Sequence, residues 1–339
     1  MKLKNLAFGM GIGGWLTNYK RFNVLPKEWR LPITIGDLEH FESYITEEDI
    51  KYIASLGVDH IRLGFDQIVL EEKPRVYREA VFKHIDNFIS WCEGVNVFPI
   101  LNMHKAVGNY CDIKEEVTLF DSPELQQGFV DFWADFEKRY AHKPNVAFEL
   151  LNEVRDVPPE QWNELADRTI SAIRAINKDR IIILGSCRWG HCGLLKALKI
   201  YDDPNIIYTY HFYEPHEFTH QRGVLQASAL YYNRVMPYPC EDIERYRDFY
   251  RLIYNRHDAY KEYQRLDKQY LRDLMQPAFD WAAEHPDKVL WLGEFGTIRH
   301  AKLEWRINYM QDVISLAKEH DIGYCVWNYL STPNDGNRF

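Results

Sequence analysis

No apolar run in this 339-residue chain approaches the length that crosses a bilayer, and no surplus of basic residues exists to hold a polyanion. With 41 Lys and Arg against 50 Asp and Glu the net charge is -9, which argues against nucleic acid or an anionic membrane as the main partner. A neutral polymer remains permitted. Cysteine is sparse: Cys92, Cys111, Cys187, Cys192, Cys240 and Cys325 are scattered without a CxxC pair, in a chain large enough not to need staples, and read as reduced thiols. Cys187, His191 and Cys192 lie close together but not at zinc-site spacing, so neither metal nor cofactor is expected. No internal repeat is evident. The opening, Met1-Lys2-Leu3-Lys4 and then apolar residues, mimics a leader superficially, yet Gly9, Gly11, Gly13 and Gly14 break its apolar core. It reads as a first strand, and the compartment stays open: intracellular, or secreted with a leader removed.

What the chain does have is apolar and aromatic mass. At 46% hydrophobic it can bury a large core, as one big barrel or two ordinary domains. Aromatics make up 15%, with 10 Trp and 22 Tyr, enough to present flat rings to a ligand as well as to fill a core.

Short apolar strands alternate with amphipathic helices, the pattern of a parallel sheet wrapped by helices. Strands are expected at 6–12, 58–65, 95–104, 145–153, 180–187, 205–213, 288–296 and 322–330, with a polar loop from the first strand through Ile45. Thr46-Glu47-Glu48-Asp49 starts a helix in capping-box style. Val81, Ile85, Phe88, Ile89 and Cys92 mark a second helical face closed by Gly94, and Pro123 follows Ser122 at a third helix start. Further helices are expected at 159–176 and 303–319. The rhythm breaks from Glu214 to Lys268, a tyrosine- and arginine-rich stretch. Tyr246, Tyr250 and Tyr254 recur there at helical spacing, so 214–268 is expected to be a helical lid, too polar for a second core, that walls a substrate cleft with its rings. Eight strands with helical crossovers predict an α/β fold, a single (β/α)8 TIM barrel over 1–339 with this insertion after strand six; a doubly wound open sheet is the alternative. Because the chain stops soon after strand eight, the last helix is expected to be missing. The outer faces of strands eight and one, Val326 and Leu6 among them, would then be open, and the protein a monomer or a weak self-associate through that side.

Two strands end alike. Phe148-Glu149-Leu150-Leu151-Asn152-Glu153 and Val289-Leu290-Trp291-Leu292-Gly293-Glu294 each deliver a glutamate at the C-terminal end, where a buried carboxylate is costly without chemistry or a partner. A pair of this kind is what cleavage of a glycosidic bond requires, one group to protonate the leaving oxygen and one to attack the sugar. Barrel chemistry sits at the C-terminal ends of the strands, where this chain also places Arg62, His104, Asn152, His211, Tyr213 and Trp327. Glu149, on the same strand face as Glu153, reads as a structural, paired carboxylate.

These residues, with Gly11-Ile12-Gly13-Gly14-Trp15, His60-Ile61-Arg62-Leu63, His211-Phe212-Tyr213, Gly293-Glu294-Phe295-Gly296 and Val326-Trp327-Asn328-Tyr329, resemble family 5 of the glycoside hydrolases (clan A), and within it bacterial cellulases of the endoglucanase C type. The resemblance spans nearly the whole chain in order. It implies a retaining endo-β-1,4-glucanase with Glu153 as acid/base and Glu294 as nucleophile. Asn152 would bind the sugar 2-hydroxyl, Arg62 and Tyr213 would flank the nucleophile, His104 and His211 would line the cleavage subsite, and Trp327 would form its floor; Trp15 is expected among the substrate-binding residues. Arg62 beside Glu294 would keep it anionic, whereas Glu153, with no evident cation of its own, should have its pKa raised. Asn102 and Lys105 depart from the family pattern on strand three. The expected partner is a β-glucan polysaccharide or oligosaccharide; β-1,3- or mixed-linkage glucan or mannan is the alternative substrate, and a non-catalytic carbohydrate-binding barrel the alternative class.

Overall fold

The computed structural model describes residues 6–17, 34–109, 117–223 and 231–330. Its strands are β1 (Phe8–Leu16), β2 (His60–Asp66), β3 (Glu71–Lys73), β4 (Val76–Tyr77), β5 (Phe98–Lys105), β6 (Ala147–Glu149), β7 (Ile181–Gly185), β8 (Ile206–Phe212), β9 (Val289–Phe295) and β10 (Gly323–Val326). Eight of them close into a parallel barrel in the order β1-β10-β9-β8-β7-β6-β5-β2, and β3 and β4 form a small antiparallel ribbon beside it. This is the (β/α)8 barrel that the alternation of patterns predicts, and the open-sheet alternative falls with closure of β1 on both β2 and β10.

Local chemistry accounts for the helices and for one that escapes the sequence reading. Thr46 caps Glu47–Ser55 with the reciprocal Asp49 bond of a capping box, as expected. The stretch read as polar loop contains a second capping box, Thr34 with Asp37, and the helix Ile35–Ser43 behind it buries Phe41. Helix Glu79–Gly94 buries the predicted face, though it runs through Gly94, and the left-handed residue beyond it is Asn96. Ser122 caps Pro123–Tyr140, Pro159–Arg174 follows β6, and Leu303–Glu319 has the predicted bounds.

The barrel floor is a separate apolar plug of Leu6, Ile100, Ala147, Ile183, Ile207, Trp291 and Cys325. Leu6 therefore points into the barrel, contrary to its expected place on an open outer face, and it cannot nucleate self-association. The expected missing helix concerns 331–339, outside the described residues.

The insertion after β8 corrects another expectation. Its helix Glu244–Tyr254 is present, but Tyr246 and Phe249 are buried, with Tyr238, Ile243 and Leu266, in the same continuous core that surrounds the barrel. Tyr246 and Tyr250 pack on Tyr260 (5.7 and 5.6 Å between centroids), Tyr260 on Tyr270 (5.8 Å), and the Tyr260 hydroxyl donates to the buried carboxylate of Glu217 at 2.9 Å. Tyrosine supplies apolar area and a hydrogen bond together, so a segment too polar for a second core can still join the first.

Candidate active site

Arg62 organises the C-terminal mouth of the barrel. It is fully buried on β2, where a guanidinium is tolerated only if its donors are used. Nε and Nη2 grip the two oxygens of Glu149 at 2.5 and 2.8 Å, Nη2 also donates to Asn152 Oδ1 at 2.6 Å, and Nη1 donates to Glu294 Oε1 at 2.5 Å. Glu149 is thus the paired structural carboxylate that its strand face predicts.

Glu294, near the end of β9, also accepts the Tyr213 hydroxyl at 3.0 Å. Burial opposes its ionisation, but the positive charges of His211 and Arg62 outweigh burial and bring its pKa down to about 2. Glu153 follows β6, which is shorter than predicted; Asn152 N–H bonded to the Met103 carbonyl (2.9 Å) carries the chain past the strand end. Burial pushes Glu153 up, a hydrogen bond and charge from His211 pull it down, the anion of Glu294 adds to the rise, and the net shift is upward. Glu153 does have a cationic neighbour, contrary to expectation: His211 Nδ1 lies 3.0 Å from its Oε1 and 3.7 Å from Glu294 Oε2. One ligand atom from each of Glu153, His211 and Glu294 falls within 4.8 Å of the others. A cation could use such spacing, but Glu294 already holds Arg62 and Tyr213, and a metal there would face the guanidinium. Two carboxyl groups held close in opposite protonation states suit acid and nucleophile instead.

His104 lies parallel to the Trp327 ring (5.3 Å, 4°), and burial lowers its pKa to about 3, so it is a neutral donor or acceptor. Trp327 lies across β1: a Cβ at Gly11 or Gly13 would meet its ring at 2.7 or 2.5 Å. The glycine-rich first strand is thus the bed of this indole, which is what its motif is for in physical terms. Trp15, by contrast, is not at the site. It is fully buried, donates Nε1–H to the Phe41 carbonyl at 2.8 Å and stacks on Trp91, leaving no ring face for a sugar. Sequence reasoning misses Asn109, whose amide donates to the Glu153 carbonyl (3.2 Å) and accepts from the Arg155 N–H (3.2 Å), bracing the chain that carries Glu153. It lies in a loop after β5 with no motif to signal it. Asn102, one of the departures on β5, lies 3.2 Å through Oδ1 from His104 Nδ1.

The family model described as cellulase (glycosyl hydrolase family 5) matches residues 30–332. The chain belongs to glycoside hydrolase family 5. Among its relatives, Endoglucanase C of Acetivibrio thermocellus is 37% identical over 330 residues, covering 95% of this chain and 90% of the relative. Cellodextrinase A of Ruminococcus flavefaciens is 27% identical over 327 residues, covering 95% and 85%. In fold, the chain is similar to Cel5A of Thermotoga maritima in complex with cellobiose, with a TM-score of 0.71 at 23% identity over 98% of this chain and 92% of that one.

Proposed function

We propose that this family 5 hydrolase is a retaining endo-β-1,4-glucanase in which Glu294 is the nucleophile and Glu153 the acid/base. The observation that carries the assignment is the carboxyl pair within 4.8 Å, one held anionic and one pushed toward its protonated form. Glu294 attacks the anomeric carbon as the bond to the leaving oxygen breaks, and that oxygen takes the Glu153 proton. Water then attacks the glycosyl ester, Glu153 takes its proton, and the C–O bond to Glu294 breaks with retention. Arg62 and Tyr213 hold the nucleophile in line; Trp327 lies under the sugar being cleaved, with His104 and Asn152 at its rim. The insertion leaves β8 beside Tyr213 and is read as one wall of the cleft, with Tyr246 buried and so withdrawn from sugar stacking. The reading is an enzyme on β-glucan chains, a monomer or a weak self-associate through the barrel side that carries Val326.

The test uses the two carboxylates. Glu294→Ala is expected to abolish turnover of every substrate. Glu153→Ala should lose polymer hydrolysis but still form the covalent intermediate from 2,4-dinitrophenyl β-cellobioside, whose leaving group needs no proton; azide should then release β-cellobiosyl azide. Equal loss of intermediate formation on both substrates overturns the assignment.

A further inference from the structure

β6 stops short of the residue it delivers. Its ladder to β5 ends at the Asn102–Glu149 pair, and the chain runs on to Glu153 with the Asn152 N–H reaching back to the Met103 carbonyl at 2.9 Å. From there a side chain takes over the part of a neighbouring strand. Asn109 Nδ2 donates to the Glu153 carbonyl and its Oδ1 accepts from the Arg155 N–H, each at 3.2 Å. A carboxamide offers the same donor and acceptor as a peptide group, and the carbonyl of one residue with the N–H two further on is what a parallel strand would pair with. The opposite edge of the same segment is held by the Trp189 N–H on the Val154 carbonyl (2.9 Å) and the Arg188 N–H on the Arg155 carbonyl (3.3 Å).

Asn109 is fully buried, so its amide is costly unless both ends are used, and both are. The loop that carries it is itself held from several parts of the chain. The Asn109 N–H donates to the Ala106 carbonyl at 3.0 Å, and the Gly108 carbonyl accepts from the Thr118 and Leu119 N–H groups at 3.0 and 3.2 Å. The Val107 N–H donates to Oε1 of buried Gln67 at 3.0 Å, and Gln67 Nε2 donates to buried Glu71 at 2.9 Å. Gly108 turns at φ 82°, and a Cβ there would lie 2.6 Å from the Leu119 nitrogen. The loop is a rigid mount, and what it mounts is the backbone under the proton donor. His211 fixes the far end of that side chain, with Nδ1 3.0 Å from Glu153 Oε1. With the backbone released and His211 retained, the carboxyl would keep its charged neighbour and lose its aim. A proton reaches the leaving oxygen along a short, aligned hydrogen bond, so lost aim is felt in proportion to how much the leaving group needs that proton.

We propose that Asn109 is a positioning residue for the proton donor: its amide fixes the backbone of Glu153 so that the carboxyl reaches the leaving oxygen, and its effect on rate grows with the basicity of the leaving group. This rests on Glu153 being the acid/base. Two variants separate the bonds from the volume. Asn109→Ala removes both bonds; Asn109→Asp keeps the size of the side chain and an acceptor for the Arg155 N–H but, ionised, has no donor for the Glu153 carbonyl. In both, kcat/KM on cellotetraose and on phenyl β-cellobioside should fall by about tenfold or more, while kcat/KM on 2,4-dinitrophenyl β-cellobioside, whose leaving group needs no proton, should fall by less than about threefold. A residue that merely fills space would leave Asn109→Asp like the parent, and one that merely supports the fold would lower all three substrates alike; either result overturns the proposal, as does failure of both variants to fold. Glu153→Ala is measured alongside on the same substrates. Dependence on the leaving group in Glu153→Ala with none in the Asn109 variants overturns this inference alone, whereas none in Glu153→Ala overturns the acid/base assignment on which it stands.

Discussion

His211 touches both carboxyl groups, and the direction of its influence is the same on each. Its positive charge lowers Glu294 and lowers Glu153, against the burial that raises both. Replacing it with asparagine should move both ionisations upward, so the acid and alkaline limbs of kcat/KM should each shift to higher pH; limbs that move apart, or only one that moves, would show that His211 acts otherwise. The same cations tie Glu294 to stability. Its folded pKa of about 2 lies below the unfolded value of about 4.3, so its contribution is complete above the unfolded value and is lost as pH falls through about 2.

At the scale of elements, β1 shows how a strand is shaped by what lies on it. Gly13→Ala places a Cβ 2.5 Å from the Trp327 indole, a clash that the floor of the site must relieve by shifting. We expect the variant to keep its circular dichroism and lose about tenfold or more in kcat/KM, because a ring displaced by a fraction of an ångström misplaces the sugar above it. Loss of folding with no intermediate case, or unaltered kinetics, would count against this role for the glycines. The strands and the Glu153 and Glu294 positions were legible because apolar runs ending in polar residues survive as one-dimensional patterns. Trp15 misled for a physical reason: alternation on a twisted strand with a register shift between Ile12 and Leu16 does not reveal which face the last aromatic takes. Asn109 stayed hidden because it owes its position to a loop conformation set by hydrogen bonds from elsewhere in the chain. Helix Ile35–Ser43 was readable in principle, since Thr34 and Asp37 carry the same capping box as Thr46 and Asp49.

Over the whole molecule, the insertion and the barrel share a core. Tyr238 is fully buried, packs edge-on against Tyr309 at 5.4 Å and donates to Asp312 at 2.8 Å on helix Leu303–Glu319, while the Tyr309 hydroxyl donates to the Glu214 carbonyl at 3.0 Å. Excising 235–268 should therefore unsettle the barrel rather than trim it. Tyr238→Ala is expected to cost about 3–5 kcal/mol and to lower a single calorimetric transition, with insertion and barrel melting together. Two separated transitions would show that the insertion is an independent unit.

The bidentate grip of Arg62 on Glu149 has a consequence that emerges only over a catalytic cycle. On the double-displacement reading, Glu294 loses its negative charge when it becomes a glycosyl ester. A guanidinium neutralised by the nucleophile alone would then be stranded in the interior, at a penalty of about 3–5 kcal/mol on the intermediate. With Glu149 as permanent counterion, the buried cation is balanced before, during and after esterification. The nucleophile is then at liberty to give up its charge because the buried guanidinium does not depend on it.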